Sequence, residues 1–258
     1  MYNERREQIR SLLQTKAFVS LKELSEMFPD VSEMTLRRDI EYLEREREAI
    51  KVRGGARSMK FITNQSDGSI TYRLQRNIQS KEAIAEKAAK FLEPGRSIFI
   101  DSGSTTQKLA KFVPNERFSF TTTDPVIAIE LCKIGLPIVN MVGGRLDGDN
   151  QTVTGLQATR FLAEINIDIA FLSPSGLSLR SGFTVGNYAE CELKRIVAEK
   201  ARLVVILMDG SKMDKSLPYT FSTFSNCDVL VTDGKLPEDM EKEARDRGIR
   251  IIYCGDGM

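Results

Sequence analysis

Val31-Ser32-Glu33-Met34-Thr35-Leu36-Arg37-Arg38-Asp39-Ile40-Glu41-Tyr42-Leu43 carries the pattern from which the rest of the chain is read. At about 100° per residue, Ile40 and Leu43 fall within about 40° of Leu36, while Met34 and Arg38 lie nearly opposite. Ser32 offers the short acceptor side chain of an N-cap, so a helix is predicted from there to about Glu46. Its inner stripe is aliphatic. Its outer face presents Met34 and Arg38, flanked by Thr35 and Tyr42, with Arg37 to one side.

Toward the N-terminus, Ile9, Leu12 and Leu13 recur at helical spacing between Glu4 and Thr15. A short helix is predicted from Ser20 to Phe28, capped by Ser20, with Leu21, Leu24 and Phe28 inward; Pro29-Asp30 ends it. On the other side, Ile50-Lys51-Val52-Arg53 alternates into Gly54-Gly55, the signature of a β-hairpin wing, with Lys51 and Arg53 expected on one face. In this order the elements make an α+β winged helix-turn-helix, a module whose second helix enters the major groove of duplex DNA. Arg38 is the expected base reader, because arginine pairs bidentately with guanine. Ser32, Thr35 and Arg37 are expected on phosphates, with Met34 and Tyr42 completing the helix surface. Lys51, Arg53 and Arg57 are expected along the sugar-phosphate backbone. An isolated Arg-Arg pair is more often a solvated surface feature. Here a short helix, a capped helix with an outward arginine and a basic wing coincide in sequence order, which favours DNA.

Bulk charge does not announce nucleic acid: the net charge is +1, and residues 1–60 hold thirteen Lys or Arg against eleven Asp or Glu. Placement of the arginines carries the argument instead. With 258 residues, 41% of them hydrophobic, the chain can build a large domain beside a small one. It has no eighteen-residue apolar run, and Met1-Tyr2-Asn3-Glu4-Arg5-Arg6 lacks the apolar stretch of a secretory signal. A cytoplasmic protein with no membrane partner is therefore expected. Histidine is absent, and Cys132, Cys191, Cys227 and Cys254 stand far apart, which excludes His-based triads and zinc fingers. Buried, reduced thiols are expected, with no cofactor and no metal.

Between Arg57 and Ser80 the periodicity fades into the polar Asn64-Gln65-Ser66-Asp67-Gly68-Ser69. The predicted organisation is a DNA-binding domain over 1–57, a linker over 58–80, and an effector-sensing and oligomerisation domain over 81–258. In the last, apolar runs at 97–100, 118–121, 137–142, 167–172, 203–207, 229–232 and 249–253 alternate with helical patterns. That rhythm predicts an α/β domain with a largely parallel sheet.

The run at 97–100 ends in Asp101-Ser102-Gly103-Ser104-Thr105-Thr106 and leads into a predicted helix over Gln107–Phe112. A glycine-containing, hydroxyl-rich turn at a helix N-terminus can wrap an anion with backbone N–H groups. Such turns also cap ordinary strand-to-helix junctions, so the residues alone leave both readings open. Ser173-Pro174-Ser175-Gly176 and Asp209-Gly210-Ser211-Lys212 end other strands, where ligands collect in open α/β sheets. Lys81, Lys194 and Lys212 are candidate partners of an anion, or else solvated surface charges.

Leu24-Ser25, the run from Val31 to Ile40, and Gly54-Gly55-Ala56 resemble the signature of the DeoR family of regulators. Arg47 stands where the family usually has glycine before the wing, and Arg53 where it usually has histidine. The second half resembles the family's sensor domain through Lys81 with Ile84-Ala85, Asp101 to Thr105, Gly143-Gly144, Thr154-Gly155, Asp168-Ile169-Ala170-Phe171, and Asp209 with Ser211-Lys212. The resemblance implies a sensor fold similar to ribose-5-phosphate isomerase and a small phosphorylated sugar bound around Asp101 to Thr106. It further implies repression of sugar uptake or metabolism genes through a double-stranded DNA operator. The expected effector contacts are Lys81, Asp101, Ser102, Gly103, Ser104, Thr105, Thr106, Ser175, Gly176, Lys194 and Lys212. Thr121-Thr122-Thr123 stands where family members often carry asparagine.

Two rival classes are an isomerase-like phosphosugar enzyme with a DNA-binding appendage and a protein-interaction scaffold. The isomerases carry acidic residues where this chain has Ser173 to Gly176, which disfavours catalysis, with Asp101 and Glu190 as the remaining carboxylates to place. A homo-dimer or homo-tetramer is expected, because one winged helix alone binds DNA weakly.

Overall fold

The computed structural model describes residues 2–16, 18–46, 48–58 and 69–254. Arg47 and residues 59–68 of the expected linker lie outside the described residues. The chain divides into two compact units, Met1–Gly68 and Ser69–Met258.

The first unit contains α1 (Tyr2–Thr15), β1 (Phe18–Ser20), α2 (Leu21–Met27), α3 (Glu33–Arg45), β2 (Ala49–Val52) and β3 (Gly55–Ser58). Both expected caps form: Ser20 accepts from the Glu23 amide at 3.0 Å, and Ser32 from the Thr35 amide at 3.3 Å. The inner stripe of α3, Leu36, Ile40 and Leu43, packs with Ile9, Val19 and Leu24. The wing has three strands in the order β1-β3-β2. Strand β1 was not expected, since three residues are too few to display alternation. The two glycines of the turn do different work. Gly54 has φ +86°, and a Cβ on Gly55 would sit 2.2 Å from the Val19 carbonyl oxygen of β1.

The second unit carries α4 (Ile70–Leu74), α5 (Ile78–Ala89), β4 (Ser97–Ile100), α6 (Thr106–Leu109), β5 (Ser119–Thr122), α7 (Pro125–Cys132), β6 (Ile138–Met141), β7 (Arg145–Asp147) and β8 (Thr152–Thr154). It continues with α8 (Leu156–Glu164), β9 (Ile167–Leu172), β10 (Gly176–Ser178), β11 (Gly182–Val185), α9 (Tyr188–Lys200), β12 (Ala201–Leu207), β13 (Tyr219–Ser222), β14 (Val229–Thr232), α10 (Glu238–Asp246) and β15 (Arg250–Tyr253). Among the described residues, seven strands form a parallel sheet in the order β15-β14-β12-β9-β4-β5-β6. All seven apolar runs predicted as strands fall in it. Their lack of polar alternation has a direct cause: Ile98, Ile100, Ile169 and Phe171 pack on one face of the sheet, and Phe99, Ala170 and Leu172 on the other. A sheet covered on both faces needs apolar side chains at successive positions.

The small antiparallel sheet β10-β11-β13 and the ribbon β7-β8 were not predicted from the sequence. Residues 69–80, read as part of the linker, are helical over much of their length. Ile70 is buried and donates its amide to the Asp149 carbonyl, and Arg73 reaches Asn150 at 3.0 Å, so long-range contacts hold a segment without clear periodicity. The predicted helix after Thr106 is a short α-helix followed by a 3-10 turn over Ala110–Phe112. The thiols are all free, but only Cys191 and Cys227 are buried; Cys132 is exposed on α7, contrary to expectation.

Candidate nucleic-acid interface and effector site

Helix α3 exposes Ser32, Met34, Arg37 and Arg38 on the face away from its core stripe, while Asp39 on the inner side is fully buried. Asp39 Oδ2 accepts from Arg5 Nε at 2.6 Å and Oδ1 from Arg6 Nε at 2.9 Å, which fixes α1 to α3. Arg6 also lies 3.9 Å from the ring centroid of Tyr42. Tyr42 is half-buried against the core, so its ring is covered on the α1 side instead of standing free on the outer face.

Several of the expected phosphate contacts have partners within the unit. The Ser32 and Thr35 hydroxyls are 2.9 Å apart, and Arg37 pairs with Glu33 one turn earlier at 2.6 Å. Lys51 bonds Glu41 through its ammonium at 2.6 Å and Glu44 through its amide at 2.8 Å, anchoring the wing to α3. The expected sharing of one strand face by Lys51 and Arg53 does not arise, because β2 ends at Val52. In the ladder Lys51 lies opposite buried Ala56, whereas Arg57 lies opposite Ile50 and Phe18 on the exposed side. Arg53 sits in the turn. Among the described residues Arg38, Arg53 and Arg57 are exposed and make no ion pair.

In the second unit, adjacency of β12, β9 and β4 brings the three candidate loops together at the carboxyl edge of the sheet. Ser102, Ser104, Thr105 and Thr106 are buried, and a Cβ on Gly103 would lie 3.4 Å from Ser173 Cβ. Asp101 accepts from Gly103's neighbouring loop through the Ser173 amide at 3.0 Å and from Lys194, which also bonds Glu190 at 3.1 Å and the Ser173 carbonyl at 2.9 Å. Burial pushes the Asp101 carboxyl up to about 6 against the opposing charge of Lys194. Burial would lower Lys194, but Asp101 and Glu190 outweigh it and hold the ammonium above its ordinary value. The two carboxylates that an isomerase-like reading would need are thus both engaged by one lysine.

Lys81 and Lys212 are buried as well, so none of the three candidate lysines is a solvated surface charge. Lys81 donates to the Arg76 carbonyl at 2.8 Å and to that of Arg73, and Lys212 to the Pro174 carbonyl at 2.9 Å. Both lie near Asp209. Burial alone would raise that carboxyl, but Ser211, Lys212, Asn77 and Lys81 hold it below the usual aspartate range. Ser175 donates its amide to Thr184, and a Cβ on Gly176 would lie 2.6 Å from the Lys215 carbonyl oxygen, so close packing of β10 already requires glycine there.

Two features favour an anion at the loop. The amides of Ser102 to Thr106 have no protein acceptor among the described residues, and the buried Thr105 hydroxyl has no hydrogen-bond partner. The sequence reading missed the polar cluster beside it. Gln107 donates to Asp124 at 2.8 Å and to Gln151 at 3.1 Å, and Asp124 caps α7 through the Val126 and Ile127 amides. Asp124-Pro125 is a legible N-cap and N1 pair, but nothing local links it to Gln151.

Comparison with known proteins finds the DeoR-like helix-turn-helix domain over residues 5–61 and the DeoR C terminal sensor domain over residues 76–234. The HTH-type transcriptional regulator GolR of Listeria innocua is 33% identical, covering 96% of this chain and 97% of that protein. A putative aga operon transcriptional repressor of Escherichia coli O157:H7 is 28% identical, covering 98% and 94%. The regulator IolR of Bacillus subtilis is 30% identical, covering 90% and 92%. Among solved structures, ribose 5 phosphate isomerase A from Neisseria gonorrhoeae aligns over 53% of this chain and 54% of that one, at 20% identity and TM-score 0.39.

Proposed function

The chain belongs to the DeoR family of DNA-binding transcription regulators, and from that premise we propose a repressor of sugar uptake or metabolism genes controlled by a phosphorylated sugar. The observation that carries the effector reading is the row of amides from Ser102 to Thr106, with the Thr105 hydroxyl among them, that have no partner among the described residues. A phosphate accepts such donors without a Walker-type lysine. Lys81 and Lys212 add positive potential at the same edge of the sheet, while Asp101 and Lys194 hold the loop in place. Repression is supported by a full-length relative named as a putative repressor.

On the DNA side, Arg38 is the base reader, and Arg53 and Arg57 are the backbone contacts, because these cations are exposed and make no ion pair among the described residues. The protein acts in the cytoplasm as a homo-dimer or homo-tetramer, since pairing two winged helices raises affinity through effective concentration. Lys81 holds the carbonyls of Arg73, in the last turn of α4, and of Arg76 just beyond it, within the segment expected as the linker. An anion drawing on Lys81 therefore acts on the segment through which the DNA-binding unit is attached, and linkage changes operator affinity.

The test is binding of the full chain to DNA from its own genomic neighbourhood, titrated with a panel of phosphosugars at fixed salt. One sugar phosphate that shifts the affinity supports the proposal; DNA binding that no phosphosugar alters would sink the effector half and leave the regulator.

A further inference from the structure

The exposed face of α3 is narrower in chemistry than its sequence suggests. Ser32 and Thr35 share a hydroxyl contact, Arg37 is drawn to Glu33, and Glu41 is covered by Lys51. Tyr42 is stacked under Arg6. What projects from the N-terminal half of the helix with no partner among the described residues is Arg38 and, one turn before it, Met34, whose 66% exposure is far too large for a residue that serves the core. An outward methionine on a helix with Leu36 and Ile40 fully inward is not explained by packing.

We infer that Met34 reads a thymine methyl group in the major groove, next to the guanine read by Arg38. The inference rests on the assignment of Arg38 as base reader made above. The thymine C5-methyl is the one apolar group that a base pair presents in the major groove, and an apolar side chain is what recognises it. Methionine suits the task because its unbranched, polarizable thioether adapts to an edge whose position varies with DNA shape. Met34 and Arg38 are four residues apart, so they lie about 40° apart around the helix and about 6 Å along it. That separation is close to two base-pair steps of about 3.4 Å each. The half-site accordingly carries a thymine and a guanine within two steps of one another. Glu33 and Glu41, which would repel phosphates, are neutralised by Arg37 and Lys51, so the paired cations serve the approach of the helix and the two unpaired side chains serve the choice of sequence.

The full-length protein is used to enrich duplexes from a pool with random cores. The enriched duplex is then resynthesised with deoxyuridine in place of each dT in turn, which removes one methyl, and with 7-deazaguanine in place of each dG, which removes the N7 acceptor. Loss of one buried methyl corresponds to about a four-fold weakening. The expected result is a dT position at which uracil weakens the wild type about four-fold but leaves Met34→Ala unchanged, with Met34→Leu restoring the difference. Within two steps of it, a 7-deazaguanine substitution should weaken the wild type roughly 5- to 150-fold and leave Arg38→Ala unaffected. Both side chains are exposed, so thermal melting of the variants should match the wild type. If the guanine effect vanishes in Arg38→Ala but every uracil effect persists in Met34→Ala, the methyl reading is overturned and the Arg38 assignment stands. A pool that yields no enriched sequence overturns both.

Discussion

Lys194 of α9 and Asp101 at the end of β4 form an ion pair in the interior, 93 residues apart in the chain, with Glu190 as the second carboxylate on the same ammonium. The group carries two acids and one base, with Asp101 and Lys194 buried and Glu190 partly exposed. One cation cannot fully offset both carboxylates, which is why burial dominates at Asp101.

Replacing Lys194 by Met should be among the more damaging single changes in the sensing unit. It leaves Asp101 and Glu190 facing each other without a counter-charge, a loss of about 3–5 kcal/mol. Denaturant unfolding of Lys194→Met measures it, and a loss below about 1 kcal/mol would refute the account.

The pH dependence has a defined sign. Asp101 is raised to about 6 in the folded chain from an ordinary 3.8, so its protonated form favours folding. That contribution is fully present below about pH 4 and is lost as pH rises through about 6, a change on the order of 3 kcal/mol. Asp101→Asn should flatten stability across this window, as read by urea midpoints at pH 4, 5, 6 and 7.

At the anion loop, Thr105→Val removes a buried hydroxyl that has no partner among the described residues. Stability should be unchanged or higher by about 1 kcal/mol, since an unsatisfied polar group is removed. The concentration of phosphosugar needed to alter DNA binding should rise at least several-fold. An unchanged response with unchanged stability moves the effector elsewhere.

The wing offers a contrast between charges. Arg53→Gln and Arg57→Gln should each weaken all DNA sequences alike and reduce the slope of log K against log salt by about 0.9. Lys51→Gln frees Glu41 from the wing while the amide of residue 51 keeps Glu44, so it should also lower the thermal stability of the DNA-binding unit. Salt titrations and melting curves of the three variants separate the roles, and equal melting temperatures would argue against the anchoring function of Lys51.

Gly55→Ala tests the close approach of β1 and β3. A methyl 2.2 Å from the Val19 carbonyl forces the strands apart, at a cost of about 2 kcal/mol or more, while Gly54→Ala strains only a positive φ. DNA affinity should fall further for Gly55→Ala than for Gly54→Ala, and the reverse order would count against this register.

Local chemistry in the sequence determined much of this protein. The stripe of Leu36, Ile40 and Leu43, the serine caps at 20 and 32, the Gly54-Gly55 turn and the seven apolar runs are short-range signals, and the elements they predict are all present. The loop from Asp101 to Thr106 was legible for the same reason, as a hydroxyl-rich turn between a strand and a helix. Partnership was decided only by the tertiary structure. Asp39 with Arg5 and Arg6, Lys51 with Glu41, Asp101 with Lys194, and Gln107 with Gln151 are pairs whose members lie on different elements, and no periodicity encodes which charge meets which. The reason is physical. A helix or strand is selected by interactions within a few residues, whereas a buried charge or amide takes whichever complementary group the packing of distant segments brings within hydrogen-bond reach.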